Sequence, residues 1–155
     1  MLTFSTRNFS VPDERYIRAS VKAFKDAGLN VKWVKEDGDY IMHLTSRKKM
    51  KTLYPEVERA SLSVTDRAEK EIHLLKDNWD SIPTHLGSEY KSLDDYRTAL
   101  ISHELAHALG HDHVTCACVG CLSDVRQQPS RELGGCLPTT RVIFNSKSPH
   151  TSRNL

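Results

Sequence analysis

The sequence contains no stretch long and apolar enough to form a membrane-spanning helix, which excludes an integral helical membrane protein. Its N-terminus also lacks a basic region followed by an apolar run, so it does not match a secretory signal. These absences favour an intracellular protein, or else a mature segment whose leader precedes this numbering. The net charge of +2 is too small to indicate nucleic acid or an anionic membrane surface as the main partner.

Internal repeats, low-complexity segments and linker-like stretches are also missing from the 155 residues. That length, with 38% hydrophobic and 27% charged residues, is typical of one globular domain with its own core. We therefore predict a single domain over residues 1–155. Residues 1–113 are expected to form its sheet and helices, and residues 114–155 a loop-rich segment. We expect the protein to be a monomer.

The spacing of apolar residues predicts an α+β fold, in which a small mixed, twisted sheet is packed against an N-terminal helix and a second long helix. Strands are predicted at residues 2–9, 31–34, 40–44, 60–64 and 71–75, and helices at residues 12–27 and from Ser92 to about Gly110. The basic run of Arg47, Lys48, Lys49 and Lys51 is predicted to be a solvated loop, and residues 78–91 are also predicted to be loop-like. The segment that follows Gly110 contains the cysteines and is expected to be irregular.

Residues 103–113 read His-Glu-Leu-Ala-His-Ala-Leu-Gly-His-Asp-His, which fits H-E-x-x-H extended to H-E-x-x-H-x-x-G-x-x-H. His103 and His107 stand four apart on a predicted helix, where side chains lie about 5–6 Å from each other and can share one zinc ion. Gly110 can take a positive φ, end the helix and bring His113 back as a third ligand. Three neutral ligands leave the fourth position of a tetrahedral zinc open, as in catalytic sites.

Glu104 is turned around the helix from the two ligands, so we predict that it is the general base for a water molecule that zinc activates. His111 competes for the role of third ligand, because it lies four residues after His107 and would suit an unbroken helix. We favour His113, because glycine is unfavourable inside a helix. The other histidines have no comparable context, and we predict that they are surface or packing residues: His43, His73, His85 and His150.

The zinc motif, together with the order of elements before it, resembles the metzincin zinc peptidases. In that family, the strand before the last one lies at the sheet edge and pairs with an extended substrate, and the resemblance puts this strand near residues 60–64, beside 71–75. The chain is also similar to an uncharacterised bacterial group of metzincin-like domains with H-x-x-C, Q-Q and G-G-C-x-P segments, which here are residues 113–116, 127–128 and 134–138. Archaemetzincins also carry cysteines after the motif, at a different spacing, and there these bind a second zinc.

The sequence departs from the metzincin pattern in two ways. Metzincins have a methionine in a turn beneath the zinc, whereas the last methionine here is Met50, and Val125 and Arg126 occupy the expected turn. Some metzincins also use a tyrosine after the motif. The last tyrosine here is Tyr96, which precedes the motif, so no such role is assigned.

Cysteines occur only in the segment after the motif, as Cys116, Cys118, Cys121 and Cys136, and three states are open to them. A disulfide, most naturally between Cys116 and Cys136, would tie down the irregular segment in an oxidising compartment. All four thiolates could instead hold a second, structural zinc in an intracellular protein, although C-x-C is tighter than the usual zinc-knuckle spacing. Free thiols without a role are the third alternative.

The sequence therefore predicts a zinc-dependent peptidase that acts on a peptide or protein substrate. Its zinc ligands are predicted to be His103, His107 and His113, and its catalytic base Glu104. Two alternatives stay open: a zinc-stabilised interaction domain that does not catalyse, and a zinc amidohydrolase that acts on a non-peptide substrate. A purely structural zinc site has no use for a base at position 104, which favours the enzyme.

Overall fold

The computed structural model describes residues 1–56 and 63–145, which form a mixed α+β fold of the predicted class. The strands are β1 (Leu2–Arg7), β2 (Val31–Trp33), β3 (Tyr40–Thr45), β4 (Val64–Asp66) and β5 (Glu71–Leu75). The helices are α1 (Glu14–Asp26), α2 (Arg47–Leu53), α3 (Lys76–Asp80) and α4 (Leu93–Ala108), with 3-10 turns at Val11–Asp13 and Thr84–Leu86. Among the helices in this part of the chain, none has both the length and the apolar character that crossing a bilayer requires.

The strands form one five-stranded sheet in the order β2-β1-β3-β5-β4. Strand β1 pairs in parallel with β2 and β3, and β3 pairs in parallel with β5. Strand β4 is antiparallel to β5 and lies at the edge of the sheet. The edge strand that the family resemblance puts near residues 60–64 is thus β4, beginning at Val64, while residues 60–62 of the prediction lie outside the described residues.

The hydrophobic core lies between one face of the sheet and the helices α1 and α4. Successive strand residues point to opposite faces, and the apolar residues of β5 that point to this side are Ile72 and Leu74. Burying a large apolar side chain is worth about 1.5–3 kcal/mol, so contacts of this kind fix α4 firmly against the sheet. Other fully buried members of the core are Phe4, Ile17, Phe24, Met42, Ile101 and Leu105.

The basic run that was predicted to be a loop is a helix, α2. The helix begins after Ser46, whose hydroxyl accepts a hydrogen bond from the backbone N–H of Lys49 at 3.2 Å, as an N-cap does. Its basic side chains are exposed, as predicted, and its buried residue is Met50, which lies outside the main core cluster. The prediction overlooked this cap because the residues that follow it are nearly all polar.

Residues 78–91 were also predicted to be loop, but they include the end of α3 and a 3-10 turn. The indole ring of Trp79 in α3 is 2% exposed and lies edge-on against the rings of Phe9 and Tyr16. A helix of five residues is not stable by itself, so these tertiary contacts hold it in place.

The chain after α4 is irregular as far as the structure describes it, in agreement with the prediction. Cys116 is bonded to Cys136, the pairing named in the first of the three alternatives, and Cys118 is bonded to Cys121, a pair that the sequence does not single out. None of these cysteines is free in the structure. A zinc site built from all four thiolates requires both bonds to be absent and stays an untested prediction.

Candidate metal centre

The structure brings the imidazole rings of His103, His107 and His113 together at the end of α4. The Nε2 atom of His107 lies 3.1 Å from Nε2 of His103 and 3.0 Å from Nε2 of His113. One ring nitrogen from each of the three histidines lies within 4.8 Å of the others. Ligands about 2.0–2.1 Å from a tetrahedral zinc are about 3.3 Å apart, so these separations are close to those of a metal site.

Backbone carbonyls fix which nitrogen carries the proton in two of these rings. Nδ1 of His103 lies 2.9 Å from the carbonyl oxygen of Val125, and Nδ1 of His107 lies 2.8 Å from that of His111. A carbonyl oxygen only accepts hydrogen bonds, so both Nδ1 atoms carry the proton and donate. With the proton on Nδ1, each ring presents its Nε2 lone pair to the cluster, and a metal cation satisfies such an arrangement.

Burial favours the neutral form of two rings in the cluster, those of His103 and His113. Desolvation, together with the neighbouring His107 and His113, holds the pKa of His103 well below its ordinary value. Desolvation and the proximity of His107 lower the pKa of His113 to about 4. Zinc binds the neutral form of imidazole, so these rings are ready to act as ligands at neutral pH.

The backbone after α4 turns at Gly110, as the sequence predicts. Gly110 has φ +99°, its N–H donates to the carbonyl of His107, and the N–H of His111 donates to that of Ala106. These two bonds form a Schellman motif, which ends the helix and turns the chain back. His113 therefore returns to the ring of His107, whereas the side chain of His111 lies against Phe144, with ring centroids 4.7 Å apart.

Gly110→Ala is expected to destabilise the fold by about 1–2 kcal/mol and to weaken zinc binding, because alanine disfavours a positive φ. A β-carbon at position 110 would meet no atom within 4 Å, so backbone strain is the only cost. Gly28 is a matched control: it has φ +79°, has the same free space and follows α1, far from the histidines. Gly28→Ala should lose similar stability in urea unfolding but keep its zinc affinity. Equal zinc affinities in the two variants would contradict the role given to Gly110.

Glu104 lies beside the histidine cluster without belonging to it. Its side chain is 4% exposed, and its Oε2 atom lies 3.9 Å from Nε2 of His103. Burial raises the pKa of Glu104, while the proximity of His107 and a hydrogen bond from Thr65 act in the opposite direction. The Thr65 hydroxyl donates to Glu104 Oε1 at 3.3 Å, so the edge strand β4 holds this carboxylate in place.

Arg67 ties the chain after β4 to the turn that follows α4. Its Nε donates to the carbonyl of His107 at 2.8 Å, and its Nη2 donates to that of His111 at 3.0 Å. The same guanidinium forms an ion pair with Asp112 at 3.3 Å. Arg67 therefore satisfies carbonyl groups at the helix C-terminus and fixes the backbone that carries His113.

A tight turn at residues 124–127 lies against His103, at the position that the metzincin resemblance predicts for a turn. The N–H of Gln127 donates to the carbonyl of Asp124, and the carbonyl of Val125 accepts the proton of His103 Nδ1. The Asp124 carboxylate is buried and accepts hydrogen bonds from Arg126 and from the N–H of Asn145. Where metzincins have a methionine, this turn presents a valine, and it orients His103 through its backbone.

An open cleft of about 510 Å³ lies above the histidine cluster, between the edge strand and the segment after the turn. Its lining combines the cluster and Glu104 with β4 on one side and polar residues of the C-terminal segment on the other. The residues concerned are Ser63, Val64, Thr65, Arg67, Leu100, His103, Glu104, His107, Asp112, His113, Gln128, Pro129 and Ser130. A cleft of this form is accessible to an extended chain as well as to a small molecule.

Thr65 and Arg67 were not predicted to belong to this centre, because no local motif marks the hydroxyl and the guanidinium through which they contact it. Val125 was expected in the turn beneath the zinc, but the role of its carbonyl as the acceptor for His103 was not predicted. Of the histidines predicted to be surface or packing residues, His85 is exposed, and His43 and His73 are buried. His150 lies outside the described residues.

The comparisons with known proteins give a family but no activity. A family model described as "Protein of unknown function (DUF3152)" matches residues 17–134, a range that includes all of α4, the three clustered histidines and the turn at residues 124–127. Comparison with curated proteins gives no match. Because the family model covers well over half of the chain, the protein belongs to the DUF3152 family of proteins of unknown function.

Proposed function

We propose that the protein is a zinc-dependent metallopeptidase of the metzincin kind, which hydrolyses peptide bonds. The observation that carries this proposal is the convergence of three imidazole nitrogens beside a buried carboxylate in an open cleft. The reactivity expected of such a set of groups is hydrolysis of an amide or ester, because it combines a site for a Lewis acid with a base.

Zinc fits the donor set that the chain provides. Neutral imidazoles are typical zinc ligands, and in two of the rings the Nδ1–H group donates to a carbonyl, as the outer contacts of zinc-bound histidines do. When bound, zinc supplies Lewis acidity, which activates water and polarises a carbonyl group.

The side chains of the centre then have separate tasks. His103, His107 and His113 hold the metal, and Arg67 keeps the backbone near the third ligand in position. Glu104 takes a proton from the attacking water at its carboxylate and passes it to the nitrogen of the leaving amine. Because burial raises its pKa, the ionised form of Glu104 is a stronger base than an exposed carboxylate.

A peptide substrate is supported by the edge strand that lines the cleft. Strand β4 has a paired neighbour, β5, on one side and is terminal in the sheet on the other. The unpaired backbone groups of an edge strand can bind an extended peptide as an additional strand. A peptide bound in this way would pass close to Glu104, because Thr65 of β4 contacts that carboxylate.

Thr65→Val is expected to move the acid limb of the pH profile of kcat/KM upward by about 0.5 to 1 pH unit. The hydroxyl stabilises the ionised form of Glu104, so its loss raises the pKa of a base that must be deprotonated to act. Activity should therefore fall at acidic pH and be preserved above the limb. The control is Thr6→Val in β1, whose profile should match that of the wild type. An unshifted acid limb in Thr65→Val would contradict the assignment of that limb to Glu104.

The proposal is tested by incubating the full chain, stripped of metal and reloaded with one equivalent of zinc, with a mixture of unstructured peptides. Mass spectrometry of the products should show internal cleavage that depends on zinc and stops when a chelator is added. A zinc-loaded protein that cleaves no peptide would favour the interaction domain instead. Hydrolysis of small acyl amides without peptide cleavage would favour the non-peptide amidohydrolase.

A further inference from the structure

A second cluster of potential ligands lies on the face of the sheet opposite α4. His43 of β3 and His73 of β5 are direct neighbours in the parallel register, and Glu71 precedes His73 by two residues. Alternate residues of a strand share a face, so all three side chains project away from the core that Ile72 and Leu74 enter. The two imidazole rings are stacked, with centroids 4.7 Å apart and planes 5° from parallel.

The carboxylate of Glu71 lies near the Nε2 atoms of both rings. Its Oε2 atom is 3.0 Å from Nε2 of His43, and its Oε1 atom is 3.6 Å from Nε2 of His73. One potential ligand atom from each of the three residues lies within 4.8 Å of the others. Two imidazole nitrogens and a carboxylate oxygen are a common ligand set for zinc.

One of these ring nitrogens is buried without a hydrogen-bond partner among the described residues. His73 is 3% exposed, and its Nδ1 lies 2.7 Å from the hydroxyl of Thr45. Its Nε2 is buried and has no hydrogen-bond partner among the described residues. If the Thr45 hydroxyl accepts the proton of Nδ1, then Nε2 is a lone pair that faces a carboxylate oxygen. A cation between the two acceptors would satisfy both of them.

The surroundings of the cluster are acidic enough for a cation. The ring of Tyr54 lies edge-on against His73, with centroids 5.7 Å apart, and its hydroxyl donates to Asp66 at 3.0 Å. Asp66 of β4 pairs with Glu71 in the antiparallel register, so the two carboxylates lie on the same face of the sheet. The positive charges that act on His73 come from its neighbour His43 and, more weakly, from the exposed Lys49.

We propose that His43, Glu71 and His73 form a second metal site, which takes a divalent transition-metal ion such as zinc. Its role is structural. The ion joins β3 to β5 on the face of the sheet opposite α4, next to the edge strand β4 that lines the cleft. His43 precedes the other two ligands by about 30 residues and meets them only through strand pairing, so no sequence motif marks the site. The site does not depend on the peptidase activity proposed above.

The test measures zinc binding in a variant that lacks the first cluster. His107→Gln combined with His113→Gln removes two ligands of the candidate catalytic site and leaves the second cluster intact. Isothermal titration of the metal-free protein with Zn²⁺ alone should then give one remaining site. Free thiols are titrated first, to establish that all four cysteines are oxidised. A folded variant, as judged by circular dichroism, that binds no zinc would overturn the proposal.

Glu71→Gln in the same background should weaken zinc binding at the remaining site by more than tenfold, because it replaces an anionic ligand with a neutral side chain of nearly equal shape. Glu69→Gln is the matched control, since this exposed glutamate has the same charge, lies two residues away and is outside the cluster. The control should bind zinc as its parent does. With Co²⁺ in place of zinc, the parent should show the visible absorption of a low-coordinate cobalt site, and Glu71→Gln should lose it. Equal affinities in the two glutamine variants would assign the bound zinc to another site and reject this one.

Discussion

Glu104→Gln is expected to lower kcat for peptide cleavage by about 10²- to 10⁴-fold, the usual contribution of a general base. The amide keeps the shape of the side chain and can still accept the hydrogen bond of Thr65, but it cannot take a proton from water. Zinc content per chain should not change, because the carboxylate lies 3.9 Å from Nε2 of His103 and is not needed as a ligand. Steady-state kinetics and elemental analysis of the same preparation measure the two quantities.

Asp112→Asn is the matched control for this substitution. Asp112 also carries a carboxylate that lines the cleft, but it is paired with Arg67 rather than directed at the metal centre. Its kcat should stay within a few-fold of the wild-type value. Glu104→Ala should behave like Glu104→Gln, with zinc retained and turnover lost. If either Glu104 variant kept full activity, the mechanism with Glu104 as base would be wrong.

His113→Asn is expected to weaken zinc binding at the candidate metal centre by more than about 100-fold, a larger loss than changes to the outer contacts of a metal site cause. Its activity should fall with the bound zinc. His111→Asn should keep both zinc and activity, because His111 serves the centre through its backbone carbonyl and its ring lies against Phe144. Competition with a chromogenic chelator gives the two affinities.

The two variants together decide whether His111 or His113 is the third zinc ligand. Loss of zinc in His111→Asn with retention in His113→Asn would assign the ligand to position 111 and contradict the course of the chain after Gly110. Loss in both would indicate that the turn itself had been disturbed, and its backbone hydrogen bonds could then be followed by amide exchange. Only loss confined to His113→Asn agrees with the arrangement described above.

The elements that local sequence determines were predicted well. Helix α4 begins at the cap Ser92, whose hydroxyl accepts from the N–H of Asp95, and it ends before Gly110. Both signals act within a few residues of the chain, so a single sequence suffices to find them. The three clustered histidines lie within the eleven residues of the motif, and their convergence could be predicted for the same reason.

The features that depend on distant parts of the chain could not be predicted in this way. Helix α3 exists because Trp79 enters a pocket formed with Phe9 and Tyr16, which are more than sixty residues earlier in the sequence. Arg67 reaches the end of α4 because β4 is antiparallel to β5 at the sheet edge, and neither strand order nor register is visible in one sequence. The second histidine cluster depends on register in the same way.

During synthesis, the support of His103 is completed late. The turn at residues 124–127 is held by segments that follow it: the N–H of Val125 donates to the carbonyl of Ile143, and the N–H of Asn145 donates to Asp124. A nascent chain emerges from the ribosome N-terminal end first, so the three histidines emerge before the residues that complete the support of His103. Metal bound at that stage would be held by rings that still lack one of their supports, and tight loading would have to wait for the segment that contains Ile143 and Asn145.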